Sequence, residues 1–207
     1  MTRKERASVT VERLAAAYPS AGCQLAWDGV PHRLLFATIL SAQTTDDSVN
    51  RVTPRLWEAY PSPADLAAAG PGDVERIIHS LGFFRSKTAS LIGAAAFVTR
   101  RGGVPGTMDE LLQCPGVGRK TANVVLGEVF GRPALIVDTH VRRLSLRLGF
   151  TMSSDPDRIE RDLAVVVPSA ERTSFSHRLG MHGRRVCSAR KPSCPSCILL
   201  DFCPRKG

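Results

Sequence analysis

No stretch of this 207-residue chain is long and apolar enough to span a bilayer; the longest apolar runs, such as Ala164 to Val167, amount to a single helical turn. The opening residues, Met1-Thr2-Arg3-Lys4-Glu5-Arg6, are charged and lead into no apolar core, so no secretory leader is expected. Convincing strand-type alternation of apolar and polar residues is missing, as are low-complexity tracts and internal repeats. These absences, with an ordinary hydrophobic content of 43%, predict a cytoplasmic, helical globular protein with no membrane partner. Acidic residues are also in deficit, at 19 against 28 Lys and Arg.

That deficit is uneven. Residues 25–133 carry 11 basic and 10 acidic side chains, whereas 134–207 carry 13 and 7, and 1–24 carry 4 and 2. The excess therefore lies in the terminal segments, and Arg184, Arg185, Arg190 and Lys191 surround the first cysteine of a cluster. A solvated basic face would have this composition, but beside a metal-type loop it points to phosphate.

The cluster is Cys187-x6-Cys194-x2-Cys197-x5-Cys203. Structural zinc sites usually pair two short Cys-x2-Cys knuckles, and only Cys194 and Cys197 have that spacing. Thiolates spread over one contiguous loop suit the corners of a cubane 4Fe–4S cluster better. Zinc is the second reading and a pair of disulfides the third.

Elsewhere helical periodicity dominates. Val74, Ile77, Ile78 and Leu81 share one face, as do Val141, Leu144 and Leu148, and Ile159, Leu163 and Val166. Asp155-Pro156 reads as an N-cap with its first helical residue, Pro168 as a helix end, and Thr107-x-x-Glu110 as a capping box. After a helix near Leu111, Pro115-Gly116-Val117-Gly118 makes a tight turn that lets backbone approach a ligand, and a helix from Arg119 to Phe130 aims its N–H groups into the same space. An ordinary αα-hairpin has the same pattern. Lys120 changes the balance, because it faces the positive end of the helix dipole, a poor place for a merely solvated cation. An amine placed there, and further desolvated by burial, is suited to act as a nucleophile. Asp138 precedes a further helix and reads both as its N-cap and as a rigid carboxylate.

These residues resemble the endonuclease III family of DNA glycosylases, within the helix-hairpin-helix glycosylase superfamily. The resemblance rests on Leu40-Ser41-Ala42-Gln43-Thr44-Thr45-Asp46, on Cys114 to Val125 with its hairpin, on Val137-Asp138-Thr139-His140-Val141, and on His182-Gly183-Arg184 with the cysteine loop. It implies an all-α fold of two lobes: a six-helix lobe with the hairpin over 25–133, and an iron–sulfur lobe joining 1–24 to 134–207. The substrate cleft would lie between them, with Lys120 and Asp138 on facing sides. Implied DNA contacts are Gln43, Phe83, Gly116, Val117, Gly118, Arg119, His140, Arg190 and Lys191. Phe83-Phe84 stands where bacterial relatives often carry Leu-Tyr, and Cys114 replaces the usual leucine as a small buried hydrophobe. Cys23 has no assigned role.

The expected activity is that of a bifunctional DNA glycosylase and abasic-site lyase acting on damaged pyrimidines. It would work as a monomer on double-stranded DNA containing damaged bases or abasic sites, in a bacterial cytoplasm. An adenine-mismatch glycosylase usually lacks a lysine at position 120 and adds a C-terminal domain; this chain has Lys120 and ends at Gly207. A thymine-mismatch glycosylase, a non-enzymatic hairpin module and an iron–sulfur redox regulator are the other readings.

Overall fold

The computed structural model describes residues 1–205, and no strand occurs among them. Backbone contacts divide the chain into two compact units, one of residues 23–131 and one joining 1–22 to 132–207. The divisions fall two residues before those the resemblance implies.

The continuous unit contains α2 (Pro31–Leu40), α3 (Asp46–Ala59), α4 (Pro63–Ala67), α5 (Pro71–Ile78), α6 (Phe84–Arg101), α7 (Met108–Leu111) and α8 (Arg119–Glu128). Two of the seven, α4 and α7, are single turns of five and four residues. Every residue from Leu34 to Leu40 is buried, so α2 beyond its first turn is covered on all sides and runs through the middle of the unit. It packs against α3, α6 and α8, while α6 also supports α4 and α5. The start signals are local: Thr45 accepts from the Ser48 N–H, and Ser62 forms a full capping box with Asp65. At Thr107 the box is altered, since the Glu110 carboxylate takes the Thr107 hydroxyl while Thr107 Oγ1 caps the Glu110 N–H. Helix α6 ends on Gly102 in the left-handed region (φ 73°), with the Gly103 N–H reaching the Val98 carbonyl at 3.0 Å.

The discontinuous unit is built from α1 (Arg3–Ala17), α9 (Thr139–Arg147), α10 (Pro156–Val166) and α11 (Arg172–Arg185). Its core unites Ala7 and Leu14 with Val141, Leu144, Ile159, Leu163, Phe175 and Leu179. Asp138 caps α9, and Asp155 with Pro156 opens α10. Arg13 of α1 makes a bidentate pair with Asp201 and bonds the Ile198 carbonyl, which ties the first helix to the last loop. No helix among the described residues is long and apolar enough to cross a membrane.

Candidate nucleic-acid interface and thiolate centre

The hairpin between α7 and α8 is a type II turn. Pro115 and Gly116 are its central residues, Gly116 has φ 76°, and the Val117 N–H reaches the Cys114 carbonyl at 3.1 Å. The two hairpin glycines serve different purposes. A Cβ at Gly116 would lie 2.6 Å from Ser90 Cβ and 3.2 Å from Ile39 Cγ2, so this glycine lets the turn seat on α6 and α2. Gly118 has nothing within 4 Å, and it is the open position where another molecule's backbone has access. It is also the N-cap of α8 and offers no side chain to the helix start. Val117 and Arg119 are half-buried beside it.

Lys120 is the second residue of α8 and is exposed, so the burial expected to favour its amine is not present. Its place at the positive end of the dipole remains. The helix itself stops at Glu128, before Phe130. Cys114 is 3% exposed, and burial pushes its thiol up to about 11. Burial does the same for Cys23, also to about 11.

Gln43 and Phe83 share a rare backbone state. Both are exposed and left-handed, with φ 53° and 58°, although neither is glycine. For a bulky side chain such as Phe83, which is 67% exposed, this conformation costs about 1–2 kcal/mol and persists only where the surroundings enforce it. Gln43 sits in a turn closed by the Thr44 N–H on the Ser41 carbonyl at 3.1 Å.

In the discontinuous unit, Asp138 Oδ1 accepts the Val141 N–H at 2.7 Å, which fixes the carboxylate on its helix. The other oxygen, Oδ2, lies 3.8 Å from where a Cβ on Gly180 would stand, an ordinary contact distance. His140 is half-buried; burial holds its imidazole below the ordinary range while Asp138 opposes the shift. Gly183 explains the middle of the His182-Gly183-Arg184 motif: a Cβ there would come 2.9 Å from His140 Cβ, so α9 and α11 touch only because it is glycine.

Cys187, Cys194, Cys197 and Cys203 line one cavity of about 140 Å³, otherwise walled mainly by Val186, Leu200 and Pro192. None is in a disulfide. All four border the same space. Donors face them: Arg147 Nη1 lies 3.3 Å from Cys187 Sγ and the Leu199 N–H lies 3.4 Å from Cys197 Sγ. Burial, together with the other three sulfurs, pushes the Cys197 thiol up, which a positively charged iron core would reverse. The donor set, the void and the N–H···S contacts fit a 4Fe–4S group.

Sequence reasoning missed the supports of this loop. Arg143 bonds the Cys187 and Gly183 carbonyls at 2.9 Å, and Arg147 bonds Ser188 O at 2.8 Å and Ala189 O at 2.9 Å. Their i,i+4 spacing was the available signal. His182, only 1% exposed, links Tyr18 Oη at 2.9 Å to Cys197 Sγ at 3.4 Å. Arg190 and Lys191 are exposed in the six-residue gap, which closes through the Ser193 N–H on Val186 O at 2.9 Å.

Comparison with known proteins agrees over the whole length. Residues 36–169 match the family described as HhH-GPD superfamily base excision DNA repair protein. Endonuclease III of Synechocystis sp. is 48% identical, over 98% of this chain and 94% of that protein. Endonuclease III of Escherichia coli K12 is 40% identical, over 85% and 84%. A solved structure described as a trapped endonuclease III–DNA covalent intermediate superimposes with a TM-score of 0.94 at 41% identity, covering 99% of this chain and 97% of that one. A thermostable thymine-DNA glycosylase, 21% identical with a TM-score of 0.87, shares the fold.

Proposed function

Because this chain belongs to the endonuclease III family of the HhH-GPD superfamily, we propose that it is a bifunctional DNA glycosylase and abasic-site lyase that removes damaged pyrimidines from duplex DNA in base excision repair. The observation that supports this most directly is Lys120, an exposed amine in the first turn of α8 directly after the hairpin. The open backbone at Gly118 binds a phosphate and brings the sugar next to Lys120.

The damaged base leaves the stack, Gln43 fills the gap, and Phe83 wedges into the duplex. The Lys120 Nζ lone pair forms a bond to C1′ as the glycosidic bond breaks, and the base departs with that bond's electrons. Asp138, held rigid by its cap, offsets positive charge growing on the sugar and helps take the proton that Nζ loses. Ring opening leaves an iminium (Schiff base). Loss of a proton from C2′ then breaks the C3′–O bond and releases the 3′ phosphate.

Cys187, Cys194, Cys197 and Cys203 hold a 4Fe–4S cluster in this reading. When bound, the cluster cross-links four points of the loop; base release and β-elimination involve no net electron transfer. Arg190 and Lys191 project from that loop towards phosphate, with Arg119 and His140 as further DNA contacts.

Borohydride trapping tests the central assignment. The wild-type protein is expected to form a covalent adduct with lesion or abasic duplex, and Lys120→Gln to bind the duplex without being trapped. Efficient trapping of Lys120→Gln would overturn the role of Lys120.

A further inference from the structure

Gln43 and Phe83 stand on separate elements, yet one buried side chain connects them. Lys87 lies in the first turn of α6, and its backbone N–H bonds the Phe83 carbonyl at 3.0 Å. Its side chain is turned inward and is only 5% exposed. The ammonium donates to Thr44 Oγ1, and that hydroxyl lies 3.3 Å from the Ala42 carbonyl, to which it donates. Gln43 is therefore bracketed on both sides, by residues 42 and 44, through one relay that begins a turn away from Phe83.

A buried lysine is a poor choice for packing alone. Burial draws it below the ordinary lysine range, and leucine or methionine would fill the space without that desolvation cost. What lysine adds is reach and a charge-assisted hydrogen bond to the turn that carries Gln43.

We propose that Lys87 is a positioning residue: through Thr44 it locks the left-handed turn bearing Gln43 to the left-handed helix start bearing Phe83, so that the two side chains enter a duplex as one preset pair. This rests on the reading above in which both residues are inserted. Holding two probes at a set separation removes the conformational search each would otherwise make at the moment of base extrusion.

The test uses the full chain and a duplex with a non-cleavable abasic analogue opposite 2-aminopurine, whose fluorescence rises when stacking is broken. Gln43→Ala is expected to reduce that rise. Thr44→Val keeps the shape but loses the hydroxyl, and should lower single-turnover trapping on lesion duplex about tenfold, the scale of one charge-assisted bond. Thr44→Ser should restore it. Lys87→Met should match Thr44→Val, and the double variant should lose no more than either alone. On a single-stranded abasic oligonucleotide, where no base is extruded, Thr44→Val, Thr44→Ser and Lys87→Met should trap at the wild-type rate. A wild-type response of Thr44→Val on lesion duplex would overturn the inference, as would an equal loss on the single strand. If Gln43→Ala left the 2-aminopurine signal unchanged, the insertion reading would fail and this inference with it.

Discussion

Gly116 and Gly118 stand two residues apart in one hairpin, yet a methyl group added at each would meet very different surroundings. Gly116→Ala must accept a positive φ and a 2.6 Å approach to Ser90, and should cost about 2–4 kcal/mol in chemical denaturation. Gly118→Ala meets nothing within 4 Å and should change stability by less than about 1 kcal/mol, while weakening DNA binding. Binding titrations beside the denaturation curves separate the two effects, and a large stability loss at Gly118 would contradict this division. The Pro-Gly-x-Gly pattern revealed the turn, but which glycine faces the protein depended on α6, some 25 residues earlier in the chain. Asp138 was more legible, because a cap is a local event. Asp138→Asn keeps an oxygen for the Val141 N–H, so stability should move by less than about 0.5 kcal/mol. Turnover should fall about 100- to 1,000-fold, since the charge opposing the developing cation is gone. Near-wild-type turnover would leave Asp138 as a cap alone.

Elements show the same split between local and distant information. The face of α10 followed from apolar spacing, and Asp155-Pro156 marked a helix start, because these signals lie within a few residues of each other. The faces of α5 and α9 did so too, except that Leu81 and Leu148 fall beyond the helix ends and Ile77 is only half-buried. The floor beneath the cysteine loop was not legible: Arg143 and Arg147 reach it from about 40 residues upstream, and Tyr18 reaches it through His182 from the first helix. The four cysteines share one cavity, as their spacing led us to expect, while the side chains that brace their loop are ones no spacing rule gathers. Purified protein should be brown, with iron and acid-labile sulfide near four each per chain, as the cubane form requires. Stoichiometric zinc without sulfide in anaerobically purified protein would replace the cluster with a zinc site.

At the scale of the molecule, the contact units sharpen the charge asymmetry. Residues 23–131 hold 10 basic and 10 acidic side chains, whereas 1–22 and 132–207 hold 18 and 9, so the entire formal excess of +9 belongs to the discontinuous unit. Long-range attraction for a polyanion therefore originates there. Replacing Arg190 and Lys191 together by alanine should lower the slope of log affinity against log salt by about two. Damaged and intact duplexes should weaken alike, and the brown colour should persist. An unchanged slope would remove these two cations from phosphate contact.

The tie between Arg13 and Asp201 also orders events on the ribosome. Helix α1 is made before residues 23–131, yet α10, α11 and the last loop, on which it packs, are made after them. At usual elongation rates it waits about ten seconds or more. It is equipped to wait: its Thr2–Glu5 capping box is self-contained, and only Ala7, Thr10 and Leu14 are destined for burial, which leaves little apolar surface to misassociate. The continuous unit has no such delay and can complete its own packing in the interval.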